Sequence, residues 1–166
     1  MTISVSGTGL PNVMGAADWA SLLGILAGGG GSQVVDTGLA VSMGSGTRLL
    51  NVAAGTAAAA GVLFKSTATE PVTLAANGSG NSRLDLVYAQ INWAAGTGSI
   101  GALAGVPAPT PTLPMLTQTA GTTWQIPLAS CLVRSGVVDL TAHPGDLVDA
   151  RPLYTAMQLP HHGSGL

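Results

Sequence analysis

Charged side chains are the scarcest feature of this sequence. Five basic and seven acidic residues stand among 166, which is 7% of the chain, whereas a soluble protein ordinarily has roughly a quarter of its residues charged. A lone soluble domain keeps itself apart from its neighbours with a surface of mixed charges. The scarcity therefore predicts a subunit whose surface is largely covered by copies of itself or by other subunits.

Other absences narrow the classes of partner. The net charge of −2 supplies no field that attracts nucleic acid or an anionic membrane. Cys131 is the single cysteine, so no disulfide forms within the chain, and its apolar surroundings predict a buried, unreactive thiol. No apolar run approaches the ~20 residues of a membrane helix, and the first residues lack the basic region of a secretion signal. We expect a cytoplasmic site of synthesis.

Residues 1–31 differ in pattern from the rest. Apolar residues recur there at spacings of three and four, which is typical of one helix face, and Asn12 and the glycines at 28–31 are suited to its two ends. We predict one short helix in a docking appendage, and packing of this face beneath the main domain is the open alternative. The interface candidates are Trp19, Leu22, Leu23 and Leu26.

From residue 32 to residue 153 the pattern is that of a β domain. Short apolar runs alternate with turn residues, which predicts a mainly β fold, an antiparallel sandwich or a barrel-like domain. Pro127 cannot donate a ladder hydrogen bond, so its strand runs at an edge or bulges there. Residues 154–166 are expected to form a loose tail. The predicted strands are 33–36, 39–43, 47–53, 58–65, 71–75, 83–93, 98–104, 123–133 and 137–141.

Four prolines fall within residues 106–114. Such a density favours an extended, polyproline-like chain. We interpret the segment as a stiff crossover between two long strands. A ligand for a proline-recognition module is the alternative.

An ordered set of motifs resembles a known family. The set comprises NSRLDLVYAQIN at 81–92, the proline-rich segment 105–114, WQIPLA at 124–129 and DLVDARP at 146–152, preceded by GLAVSM at 38–43 and VAAG at 52–55. In this order they resemble a domain of tail-associated proteins of tailed bacteriophages, which include minor tail, baseplate and fibre-anchoring proteins. The resemblance covers roughly residues 36–153.

This resemblance implies a β-rich structural part of a virion, often a homotrimer, assembled in the bacterial cytoplasm and bound to other virion proteins. It carries over no catalytic residue, metal or cofactor. A tail-tip, baseplate or fibre-anchoring subunit is the first expectation, and a capsid decoration protein or head-fibre base is the second. A carbohydrate- or receptor-binding module is a third, for which Trp93 and Trp124 are the candidate sugar platforms.

Five charged residues cluster within the resembling motifs. Arg83 and Asp85 share one face of their strand because side chains alternate along a strand, and Asp146, Asp149 and Arg151 precede a proline. We predict that Arg83 pairs with Asp149 or Asp146 and that Asp85 pairs with Arg151, so that the C-terminal segment is pinned to the sheet. Solvated turn residues are the alternative.

The sequence offers little support for a catalytic site. No two carboxylates form a convincing acid and base pair, and the glycine-rich stretches lack the lysine and the setting of a phosphate loop. His143 stands alone before a proline and is expected in a turn. His161 and His162 could converge on a metal only around a threefold axis, and a polar tail end is the simpler interpretation.

Overall fold

The computed structural model describes residues 33–59 and 62–153, and for residues 33–37 it describes the backbone only. Eleven strands and two 3₁₀ turns, Leu140–Ala142 and Pro144–Asp146, are present in this part of the chain. The strands are β1 (Gln33–Gly38), β2 (Val41–Met43), β3 (Leu49–Val52), β4 (Gly55–Ala59), β5 (Val62–Ser66), β6 (Glu70–Thr73), β7 (Arg83–Asn92), β8 (Thr97–Leu103), β9 (Gln118–Thr119), β10 (Thr123–Val133) and β11 (Leu147–Asp149).

The strands form three antiparallel sheets. Their orders are β1-β4-β5, β2-β3-β6 and β11-β10-β7-β8, with β9 also paired to β10. The prediction of a mainly β, antiparallel fold is confirmed, and the strands of the described residues do not close into a barrel. The predicted N-terminal helix and the predicted tail lie outside the described residues.

One hydrophobic core joins the three sheets, as in a β-sandwich. Each sheet contributes buried aliphatic side chains to the same cluster, and Phe64 is its aromatic member. The core is built from small and branched residues because the chain has few aromatics. The fully buried members of largest volume are Leu39, Leu50, Leu74, Ile126, Leu128, Val52, Val87, Val133 and Cys131.

The long strands β7 and β10 form the centre of the largest sheet. They pair from Arg83 opposite Val133 to Asn92 opposite Thr123, and the register shifts between Pro127 and Ala129. Pro127 thus lies at a bulge, one of the two positions that its missing N–H predicted. It also lies in the gap between β9, which pairs at Thr123 and Trp124, and β11, which begins its pairing at Ala129.

Two strand predictions are wrong. The expected strand 58–65 is a hairpin instead, because β4 and β5 pair antiparallel with Ala59 opposite Val62, and an alanine-rich run carries no polar turn signal to reveal the reversal. The expected strand 137–141 makes one bridge, from Asp139 to Thr47. It then enters a 3₁₀ turn in which the Asp139 carboxylate accepts a hydrogen bond from the Thr141 N–H. The short strands β9 and β11 were missed.

Residues 104–117 connect β8 to β9 without helix or strand, and we call them the crossover. Near its start the Ala108 N–H donates to the Ser82 carbonyl, and at its end the Thr117 N–H donates to the Gln125 side chain. The Gln125 amide donates in turn to Gln90 of β7. Because the other face of this sheet packs on the core, we infer that the crossover passes over the outer face, where Leu86 is buried outside the core cluster.

A comparison of two lengths indicates that the crossover is extended between its attachment points. A polyproline-like chain from residue 108 to residue 117 spans roughly 28 Å at about 3.1 Å per residue. The strand that it follows, from Ser82 to Gln90, spans roughly 26 Å at about 3.3 Å per residue. The chain between the two attachment points therefore has little slack.

The predicted turn at 77–81 is held from inside by a buried asparagine. The Asn77 amide donates to the carbonyls of Asn81 and Val133, both at 2.8 Å. Its oxygen accepts from the N–H and the hydroxyl of Ser79. A buried amide that satisfies its donors and acceptors in this way fixes the entry into β7 against the end of β10.

Candidate functional site

The most buried charges of the described chain form an ion pair within β7. Arg83 donates from Nε to Asp85 Oδ1 at 2.8 Å and from Nη2 to Oδ2 at 3.0 Å. The side chains are 8% and 1% exposed. Residues i and i+2 of a strand lie on one face and about 7 Å apart, which the long arginine side chain spans. The pair is bidentate, the geometry that guanidinium and carboxylate favour.

Three chain segments meet at this pair. The Arg83 guanidinium also donates to the carbonyls of Ala75 and Ala76, at 2.6 Å and 2.9 Å, which follow β6. The Asp85 carboxylate accepts a further bond of 3.0 Å from the Gly105 N–H at the start of the crossover. The two charges are thus compensated by each other and by backbone groups. The arrangement ties the β6–β7 connection and the crossover to the central strand.

The partners predicted for these residues are wrong. Arg83 and Asp85 pair with each other and not with the C-terminal segment. That segment joins the sheet as β11 beside β10, so the whole of β10 separates it from β7. Sequence reasoning placed Arg83 and Asp85 on one face but did not draw the consequence that they reach each other.

The C-terminal carboxylates find other partners. Asp146 pairs with Arg134 at 2.7 Å, and Asp149 pairs with Arg151 at 2.6 Å. Arg134 was not among the residues that the sequence singled out. Arg134 follows the end of β10, beside which β11 lies. Arg134 and Asp146 come close because β11 pairs with β10 from Ala129 to Cys131, and this pairing was not predicted from the sequence.

The pinning of the C-terminal segment is achieved by a different contact. Arg151 donates from Nη1 to the carbonyl of Gly38 at 2.6 Å, which connects the segment after β11 to the end of β1. Hydrogen bonds from Arg151 hold the pKa of Asp149 below its usual range, and the same bonds raise the pKa of Arg151. Because the Asp149 side chain is half exposed, water screens this attraction and its contribution to stability is small.

Cys131 lies opposite Asp85 on β10 and is fully buried. Burial, together with the nearby charges of Asp85 and Asp146, raises the pKa of the Cys131 thiol to about 11. Since the thiolate is the reactive form of cysteine, the thiol is inert at neutral pH, as its sequence context predicted.

We expect native protein at pH 7.5 to leave Ellman's reagent unreacted for hours, because the thiol is both buried and protonated. In 6 M guanidinium chloride the same sample should release one equivalent of thionitrobenzoate within minutes. Absorbance at 412 nm measures both. Fast reaction of the folded protein would contradict the buried position of Cys131.

A shallow cleft of about 400 Å³ lies between β5, β6 and β8. Lys65 and Glu70 line it, and in the part of the chain that the structure describes neither takes part in an ion pair or side-chain hydrogen bond. Ser66, Thr67 and Ser99 add hydroxyls, and the buried Phe64 also lines the cleft. The cleft offers polar contacts to solvent but presents no exposed aromatic face of the kind that stacks on a sugar ring.

The two tryptophans considered as sugar platforms contact the core instead. Trp93 and Trp124 are half-buried and pack against the core cluster. The interface candidates Trp19, Leu22, Leu23 and Leu26, and the pair His161 and His162, lie outside the described residues. Within residues 33–59 and 62–153, no group of three or more His, Cys, Asp and Glu side chains could hold a metal ion.

Large apolar side chains stand exposed at several places. Three of them belong to the crossover, and the others lie on β5, after β10 and around β11. None of the helical turns in the described residues is long and apolar enough to cross a membrane. The exposed apolar residues are Leu63, Val106, Leu113, Met115, Val138, Val148 and Leu153.

Comparisons of the chain with protein-family models, with curated proteins and with solved structures find no match.

Proposed function

We propose that this chain is a structural, non-enzymatic subunit that assembles with copies of itself and with other proteins. One observation carries the proposal. Among the described side chains, the exposed large apolar residues outnumber the charged residues that have no partner, which are Lys65 and Glu70. A soluble monomer ordinarily carries a surface rich in charges of both signs, so a described surface with so few unpaired charges is the kind expected to be covered in an assembly.

The occupation of the carboxylates supports a structural role. Asp85, Asp146 and Asp149 each accept hydrogen bonds from an arginine, and Asp139 caps a 3₁₀ turn. A general acid or base has to reach a substrate proton. These four carboxylates are held by neighbouring groups and do not meet that requirement, and Glu70 in the cleft is the one described carboxylate side chain outside this arrangement.

The resemblance to phage tail-associated proteins suggests the place of the subunit. The segments that carry it are adjacent in space, because 81–92 contains β7, 124–129 lies in β10, 146–152 contains β11, and the proline-rich segment is the crossover. A set of motifs that forms one sheet with its crossover is consistent with a single inherited unit. We propose that the chain is a tail-tip, baseplate or fibre-anchoring subunit, and a capsid decoration protein or head-fibre base is the alternative.

Static light scattering coupled to size-exclusion chromatography tests self-assembly. We expect the full chain at about 50 μM to elute with a mass of at least twice 16.3 kDa, and a trimer is the first expectation. A single 16.3 kDa species that persists up to millimolar concentration would remove the proposal, since a surface with so few free charges would then need no cover.

Immunogold electron microscopy tests the virion placement. Antibodies against the purified chain should label phage particles from the bacterium that carries the gene, at one end of the tail. Label on the capsid would favour the decoration or head-fibre alternatives. Particles without any label, in a preparation where an antibody against the major capsid protein does bind, would reject a virion role.

A further inference from the structure

Asn77 is the one asparagine of the chain that a glycine follows. An asparagine in this position can lose its side-chain amide without an enzyme, because glycine has no Cβ to hinder attack by its own backbone nitrogen. The other asparagines precede valine, serine or tryptophan, whose side chains hinder that attack. They are Asn12, Asn51, Asn81 and Asn92.

The reaction takes place within the chain. The backbone nitrogen of Gly78 attacks Cγ of Asn77, a new C–N bond closes a five-membered succinimide ring, and the proton of that nitrogen leaves with the side-chain amide as ammonia. Water then opens the ring at one of its two carbonyls, which leaves an aspartate or an isoaspartate. Water is the only co-reactant.

The fold holds the Asn77 side chain in place against this reaction. The residue is 4% exposed. Its Nδ2 donates to the carbonyls of Asn81 and Val133, and its Oδ1 accepts from the N–H and the hydroxyl of Ser79. Ring closure would draw Cγ onto the Gly78 nitrogen and make it tetrahedral, so these four bonds could not all be kept. The reaction therefore has to wait until the turn opens.

The product does not fit the place that Asn77 occupies. An aspartate has no side-chain N–H, so its carboxylate would face the carbonyl oxygens of Asn81 and Val133, which now accept from Nδ2 at 2.8 Å. A buried carboxylate against two acceptors lacks partners, and so do the two carbonyls. Isoaspartate in addition routes the backbone through the side-chain carbon and lengthens the turn that enters β7.

We propose that Asn77 is a deamidation site that the folded chain protects, so that a chain left unfolded is converted into a form whose native state is strongly destabilised. The two halves of this mechanism use the same contacts. The hydrogen bonds that block the reaction in the folded chain are the bonds that the product cannot make. The site acts in this way whether or not the chain assembles with other copies.

The first test measures the reaction at Asn77. The wild-type chain is incubated at pH 8 and 37 °C, native and in 6 M guanidinium chloride, and trypsin then releases residues 66–83 for mass spectrometry with fragmentation. We expect the gain of about 1 Da at Asn77 to be at least about tenfold slower in the native chain, because it requires opening of the turn. Equal rates, or no gain in the denaturant, would overturn the proposal.

Gly78→Ala is the matched variant for the chemistry. Its Cβ would meet nothing within 4 Å, so the fold should not change, whereas the added methyl group hinders the attacking nitrogen. We expect deamidation in the denaturant to slow at least about tenfold. An unchanged rate would show that the Gly78 nitrogen is not the attacking group.

The second test measures what the product does to the fold. Asn77→Asp should lower the equilibrium constant for folding at least about tenfold, as measured by urea unfolding with tryptophan fluorescence. Asn81→Asp makes the same change of charge at an exposed residue of the same turn, and it should stay close to the wild type. A failure of Asn77→Asp alone to fold supports the proposal as a low constant does. Equal stability of the two variants would contradict it.

Discussion

Replacing Asp85 with asparagine is expected to lower the free energy of unfolding by about 3–5 kcal/mol. The substitution keeps the size of the side chain but leaves the buried Arg83 guanidinium without its counter-charge. It also turns an amide N–H₂ toward the arginine donors, where a carboxylate oxygen accepted before. The Gly105 N–H loses its charged acceptor as well. Urea unfolding followed by tryptophan fluorescence measures the change.

Two further variants test whether the large loss of stability arises because the Arg83–Asp85 pair is buried. Arg134→Met breaks the ion pair with Asp146. The Arg134 side chain is 47% exposed, so this substitution should change the unfolding midpoint far less than Asp85→Asn does. Combining Arg83→Met with Asp85→Leu removes both buried charges and should restore part of the lost stability. Equal losses for Asp85→Asn and Arg134→Met would show that the β7 pair is no more important than a surface pair.

The second large effect is expected for Gly105→Ala. A Cβ at this position would lie 2.1 Å from the backbone oxygen of Leu84, so the crossover has to move away from β7. That movement breaks the hydrogen bond from the Gly105 N–H to Asp85. We expect a loss of about 3 kcal/mol, which combines the cost of overpacking with that of a lost bond to a charged group.

Gly78→Ala is the matched control because a Cβ there would meet nothing within 4 Å. Its stability should stay within about 0.5 kcal/mol of the wild type. Urea unfolding of the two variants side by side gives the comparison. If Gly105→Ala proves as stable as Gly78→Ala, the close approach of the crossover to β7 is incorrect.

The alternating patterns of the sequence predicted the fold class and the two long strands. β10 has the predicted bounds, and β7 ends one residue before the predicted strand does. These strands are long and apolar, and their local pattern suffices because each buries side chains along its whole length. The hairpin of β4 and β5 was not predicted, since alanine and glycine fit a strand and a turn alike.

The ion pairs show where local reasoning stops. The sequence singled out Arg83, Asp85, Asp146, Asp149 and Arg151, and the structure places each of them in an ion pair. The pairs Arg83–Asp85 and Asp149–Arg151 join residues two apart and were open to local reasoning, whereas the partner of Asp146 depends on which strands become neighbours. Arg134 and Asp146 meet only after β11 has paired with β10.

By itself the sequence determined the shortage of charge, the alternation that makes β strands and the stiffness of the proline-rich segment. These are properties of composition and of residues close together along the chain. Only the tertiary structure decided that the crossover starts against β7 and that the Gly105 N–H donates to the buried ion pair. Those features depend on contacts between distant residues, which a local pattern does not encode.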